Sequence, residues 1–125
     1  MGILSSILGN ASTMTVEQIE KEFSELLCDN ETVEVGFKLI RDMFIFTNKR
    51  LILVDKQGVT GRKTEYLSVG YKSISKFSVE NTGTFDLDAE LKIWISSEQT
   101  PSIVKKFNKS VNVFEVQKVL ANHVL

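Results

Sequence analysis

Few residues of this chain could carry covalent chemistry, and their spacing is poor for it. There is one cysteine, Cys28, and one histidine, His123, near the far end of the chain. A zinc site or a Cys–His nucleophile pair asks for more ligands than these two provide. A single cysteine also excludes an intramolecular disulfide. Cys28 follows Leu26 and Leu27 at the end of an expected helix, which reads as a buried or half-buried structural thiol. Asp86, Asp88 and Glu90 alternate, and alternate strand residues share a face, so they could begin a metal site or an acid pair. No third set of ligands accompanies them. Acids at a loop-to-strand boundary that bond nearby backbone N–H groups are the simpler reading. Asn108-Lys109-Ser110 has the form of a glycosylation acceptor, without a secretory signal to support it. Met1-Gly2 with Ser6 fits only the loose myristoylation pattern. No residue pair meets the geometric needs of acid–base or nucleophilic catalysis. The expectation is a protein that is not an enzyme and takes no metal or cofactor.

Binding is the better prospect. Lys38, Arg41, Lys49, Arg50, Lys56, Arg62 and Lys63 are candidate contacts for an anion or a lipid headgroup. Lys49, Lys56, Arg62 and Lys63 form a loose basic group around two expected turns. The chain as a whole has 15 basic and 16 acidic residues, for a net charge of -1. That balance argues against a nucleic-acid binder relying on a global positive field. Lys105, Lys106 and Lys109 surround Phe107 but lack the interleaved aromatics of a single-strand-binding stripe, so no nucleic-acid partner is expected.

The elements that must position these residues can be read from periodicity. Gly2 to Gly9 is a short apolar segment, in which Ile3, Leu4, Ile7 and Leu8 share one helical face that needs a surface to lie on. A linker follows. Thr15 is a helix cap with Gln18 three residues on, and Ile19, Phe23, Leu26 and Leu27 line one face of a helix over 15–27. From Thr32 the period becomes two, with Val33, Val35, Phe37 and Leu39 alternating against Glu34, Gly36 and Lys38. Strands over 43–47 and 50–55 flank a two-residue turn, Asn48-Lys49, since Asn tolerates positive φ. Both faces of this hairpin are apolar: Phe44 and Phe46 on one, Met43 and Ile45 on the other. A free antiparallel strand keeps one face wet, so the second face must be covered by the N-terminal helix or by another subunit. Further strands are expected over 63–69, 73–80, 88–96 and 103–107, with Gly70 bending or bulging the path. Trp94 points outward. Asn112 opens a final helix whose Val113, Val116, Val119, Leu120 and Val124 make a stripe at helical spacing.

These segments contain longer strings: FTNKRLILVDKQG (46–58), YLSVGYKSI (66–74), FSVENTGTFDLDAELKIWIS (77–96) and VFEVQKVLANHVL (113–125). Together they closely resemble the bacterial pleckstrin-homology domain family. The resemblance covers nearly the whole chain from about Glu31, and the helix at 15–27 fits the family's N-terminal extension. It departs at Gly70, where the family usually has proline, which loosens one strand junction. The resemblance implies a mainly β fold: a PH-like barrel of about seven antiparallel strands, capped by a C-terminal α-helix, with an N-terminal helical extension. Residues 15–125 would form this single domain, after an apolar segment and linker over 1–14. The family also implies ring-like homo-oligomers, a pentamer being the usual description.

Ile3, Leu4, Ile7, Leu8, Phe44, Phe46 and Trp94 are the apolar residues expected to seek a partner. Eukaryotic pleckstrin domains bind phosphoinositides through basic residues near the first hairpin, and Lys38, Arg41 and Arg50 match those positions. The connection over 40–42 is short, and Asp42 offsets its charge, so a specific headgroup cradle is not expected. Two functions follow. One is a non-catalytic module that self-assembles and binds a protein or membrane partner. The other is a monomer that binds anionic headgroups at the inner membrane face. No stretch approaches the roughly 18 apolar residues that span a bilayer, and no basic region precedes the first apolar residues. The expected location is the cytoplasm or the cytoplasmic surface of the inner membrane.

Overall fold

The computed structural model describes residues 15–39, 42–58, 62–81, 89–107 and 112–125. Helix α1, Val16–Glu22, starts as its cap residues dictate. Thr15 is extended (φ -73°, ψ 157°). Its hydroxyl accepts from the Gln18 N–H at 3.1 Å, and the Gln18 side chain accepts from the Thr15 N–H at 3.0 Å. This is the expected capping box. The helix is shorter than its apolar spacing implies. Regular structure stops at Phe23, and residues 23–27 continue as turns. The Leu26 carbonyl is taken by the Arg50 side chain at 2.7 Å, so the chain there is committed to the sheet rather than to another helical turn.

The chain forms two compact units, Met1–Gly70 and Tyr71–Leu125. In the first, β1 (Val33–Lys38), β2 (Asp42–Thr47), β3 (Arg50–Gln57) and β4 (Lys63–Gly70) make one antiparallel sheet in sequence order. Both faces of the β2–β3 hairpin are buried, as expected. Met43, Ile45, Ile52 and Val54 pack with Val33 against Ile19 and Phe23 of the α1 segment, flanked by Val16, Leu26 and Leu27. The N-terminal helix therefore covers that face. Phe44, Phe46, Leu51 and Leu53 are buried on the opposite face with Val35 and Phe37. There Phe37 meets Phe46 edge-on, ring centroids 6.0 Å apart.

Simple alternation fails in β1. The register against β2 shifts between Val33 and Val35, and this bulge moves Val33 to the helix side. Gly36 also lies on the helix side and is buried. A Cβ there would overlap Ile19 Cδ1, so the missing side chain is what admits Ile19 to the sheet. Gly36→Val is expected to lower stability by about 2 kcal/mol through overpacking. An unchanged urea midpoint would contradict this close fit.

In the second unit a 3-10 turn, Tyr71–Ser73, leads into β5 (Ile74–Asn81), β6 (Ala89–Ile95) and β7 (Ile103–Phe107), an antiparallel sheet in sequence order. Ala89, Leu91 and Ile93 are buried, whereas Glu90, Lys92 and Trp94 are half-buried on the other face. Helix α2, Val113–Val124, is capped by Asn112, whose side chain accepts from the Phe114 N–H at 3.0 Å. Its Val113, Val116, Val119 and Leu120 are buried, so packing offsets the low helix propensity of valine. His123 stacks on Tyr71, centroids 4.2 Å apart and planes 7° from parallel.

Seven antiparallel strands and both helices are present, but the closed barrel is not. Strand pairing runs in two separate sheets, β1-β2-β3-β4 and β5-β6-β7, and no ladder joins them among the described residues. The pairing of β4 ends at Gly70 opposite Arg50, and the 3-10 turn breaks the extended run before β5 begins.

Candidate functional site

In the Thr47–Arg50 turn, the side chains of Thr47, Asn48 and Arg50 are engaged within the chain. They turn inward and tie together three parts of the first unit. Thr47 is fully buried. Its hydroxyl accepts from the N–H groups of Lys49 and Arg50, each at 3.0 Å, and donates to Glu31 Oε2 at 2.6 Å. Asn48 pins the segment before β1: its Oδ1 accepts from the Thr32 N–H at 2.8 Å, and its Nδ2 donates to the Asn30 carbonyl at 3.1 Å. The two-residue turn stands, but its physical reason differs from the expected one. Among the described residues the only non-glycine at positive φ is Ser96, so Asn48 serves through its side chain and not through a left-handed backbone.

Arg50 is the centre of the cluster. Its Nε donates to Glu31 Oε2 at 2.8 Å, and Nη2 donates to Glu31 Oε1 at 2.9 Å, a two-pronged ion pair. Nη2 also reaches the Leu26 carbonyl at 2.7 Å, and Nη1 reaches Ser68 Oγ on β4 at 2.7 Å. The Glu31 side chain is fully buried, and that of Arg50 is 20% exposed. Glu31 Oε1 accepts from the Cys28 N–H as well, at 3.0 Å, although Cys28 itself is exposed and not buried as expected. The hydrogen bonds from Arg50, then those from Thr47 and the Cys28 N–H, outweigh burial and lower the Glu31 carboxyl from its ordinary 4.5 to about 2. The same pairing holds the Arg50 guanidinium above its usual range.

Among the described residues the basic candidates do not gather into one patch. Arg50 is engaged as described. Lys49 is exposed at the turn, and Lys56 is exposed near the far end of β3, roughly 23 Å along the strand at its ordinary rise. Arg62 and Lys63 are exposed beside Lys56, with Lys63 opposite Gln57. Lys38 is exposed at the end of β1, opposite Met43. Between these positions runs an acidic row, Asp42 opposite Asp55 and Asp55 opposite Glu65. Arg41 lies outside the described residues, as do Ile3, Leu4, Ile7 and Leu8.

Two of the apolar candidates are unavailable: Phe44 and Phe46 are 0% exposed within the chain itself. Trp94 is half-buried, its indole N–H reaching the Gln99 carbonyl at 3.3 Å and the Lys76 ammonium lying 4.8 Å from its ring centroid. Asp86, Asp88 and Lys109 lie outside the described residues, while Glu90 pairs with Lys92 at 3.7 Å. Phe107 is buried and offers no ring for a base to stack on.

The strand edges supply the surface that the sequence reading did not single out. β1 is bulged, and the Glu20 carboxylate accepts from its Val33 N–H at 3.2 Å. β5 is bulged between Ile74 and Lys76, and β7 carries Lys105 and Lys106. These are the usual protections of an edge. β4, paired on one side only among the described residues, runs eight residues in unbroken register with β3; it carries exposed Lys63 and Glu65 toward one end, with Tyr66 50% and Leu67 41% exposed beyond them. A strand over 63–69 was expected from the sequence, but its place at the edge was not.

No group of acids, cysteines or histidines among the described residues could hold a metal ion. No helix among them is long and apolar enough to cross a membrane. The chain is similar to known proteins over nearly its whole length. It is 54% identical over 121 residues to the uncharacterised protein YjqA of Bacillus subtilis, covering 97% of each chain. The crystal structure of a pleckstrin-homology domain from Shewanella amazonensis SB2B is 48% identical, covers 98% of each chain and gives a TM-score of 0.84. A second, from Shewanella loihica PV-4, is 50% identical with a TM-score of 0.81, over 93% of this chain and 98% of that one. The family model described as bacterial PH domain matches residues 2–124, and the chain belongs to that family.

Proposed function

We propose that this protein is a self-assembling PH-like module that presents a surface to a protein partner. Modules of this family are non-catalytic, so its work is binding. The observation that supports self-association is the edge of β4. Among the described residues β4 pairs on its β3 side only, and a long edge strand with exposed Tyr66 and Leu67 is a template for another strand, which assembly would cover. A ring of identical subunits, a pentamer on the family's pattern, covers such an edge on every copy. Ile3, Leu4, Ile7 and Leu8 are further candidate contacts in the same assembly.

The alternative, a monomer holding anionic headgroups, has less support. Arg50 is committed to Glu31, the candidate lysines are spread over β1, the β2–β3 turn, β3 and β4, and the carboxylate row lies among them.

The test is absolute mass by light scattering behind size exclusion, over a dilution series. A closed multimer is expected, and Leu67→Lys, which places a charge on the β4 edge, is expected to shift the mass toward the protomer with unchanged circular dichroism. A wild-type monomer at every concentration would overturn the proposal. If that monomer also floated with anionic vesicles at low salt, the headgroup reading would replace it.

A further inference from the structure

We propose that residues 15–31 form a detachable strap, fastened by Arg50, that opens as one unit while the four-stranded sheet stays folded. A seven-residue helix has no stability of its own and depends on what it lies against. Here it lies on one face only, through Ile19, Phe23 and the flanking Val16, Leu26 and Leu27. Glu20 accepts from the Val33 N–H, and the strap's other polar ties collect at its C-terminal side. Arg50 is rooted in β3, with Ser68 of β4 holding one prong, and it grips the Leu26 carbonyl and Glu31 with the rest.

The sheet beneath is held independently. β2 and β3 are each paired on both sides, and their opposite face is buried through Phe44, Phe46, Leu51 and Leu53. Losing the strap therefore breaks one packed layer and leaves every ladder of the sheet intact, the pattern of a separate cooperative unit. It uncovers Met43, Ile45, Ile52 and Val54, an apolar face that is concealed in the closed form.

Hydrogen exchange read by mass spectrometry on the full chain tests this. In the wild type, peptides within 16–27 are expected to show protection at least about tenfold below peptides within 43–54. Equal protection in the two regions would overturn the proposal. Arg50→Lys keeps the charge but loses the planar fork. It is expected to speed strap exchange by about another tenfold, while the sheet peptides, whose opening includes that of the strap, stay at least about tenfold better protected than the strap. An unchanged strap, or sheet peptides that fall to the strap's level of protection, would overturn the fastening role. The wild-type comparison stands even if the variant folds poorly.

Discussion

Replacing Glu31 by alanine is expected to destabilise the protein by about 3 kcal/mol, the lower end of what breaking a buried ion pair costs. The physical reason is what remains behind. Arg50 would keep its charge in a site where 80% of its side chain is out of water, reckoned from its 20% exposure. The Thr47 hydroxyl and the Cys28 N–H would each lose an acceptor. In a domain of this size such a loss lowers Tm by roughly 10 °C. The check is thermal and urea unfolding followed by circular dichroism. A shift within the range of ordinary surface substitutions, about 0.5 kcal/mol, would mean that the cluster contributes little.

Acid unfolding should carry the signature of the same carboxylate. Glu31 titrates at about 2 in the folded chain against an ordinary 4.5. Because the folded value is depressed, the unfolded chain binds the proton first as pH falls. The stabilisation is thus fully present above about pH 5 and drains away between about 4.5 and 2. A shift of this size corresponds to about 3 kcal/mol over that window. Urea midpoints measured from pH 6 to pH 2.5 should fall steeply in the wild type. In Glu31→Gln, which removes the titrating group, the slope should be shallower by the same amount. Parallel slopes would show that other carboxylates govern the acid limb.

Much of the local architecture was legible. The capping box at Thr15 and Gln18, the doubly apolar hairpin and the valine stripe of α2 all depend on neighbours within a few residues, which periodicity reports directly. What escaped was long-range or irregular. The bulge that turns Val33 toward the helix leaves no trace in the alternation of Val33, Val35 and Phe37. Closure of the sheet depends on whether β4 continues past Gly70, and the 3-10 turn at Tyr71 was not signalled.

The Thr47–Arg50 turn was legible, but the partner of its arginine was not. Arg50 reads as a surface cation because its partner, Glu31, lies 19 residues earlier, just after the polar Asp29-Asn30. No local spacing rule connects an acid there to a turn residue, although a buried carboxylate at a strand entrance needs a cation to match it. The basic residues that remain exposed are those whose strand positions simply face water, and proximity in sequence made them look like one group.

The central claim is that the Thr47–Arg50 turn is an internal clamp, with Arg50 and Glu31 acting on each other. A double-mutant cycle in urea with Glu31→Leu, Arg50→Met and both together tests it most directly. If the residues act as a pair, the double variant is expected to be no less stable than either single one, with a coupling of about 2 kcal/mol or more, because removing both charges leaves neither stranded. Additive losses with coupling near zero would contradict the clamp and return Arg50 to the pool of surface cations.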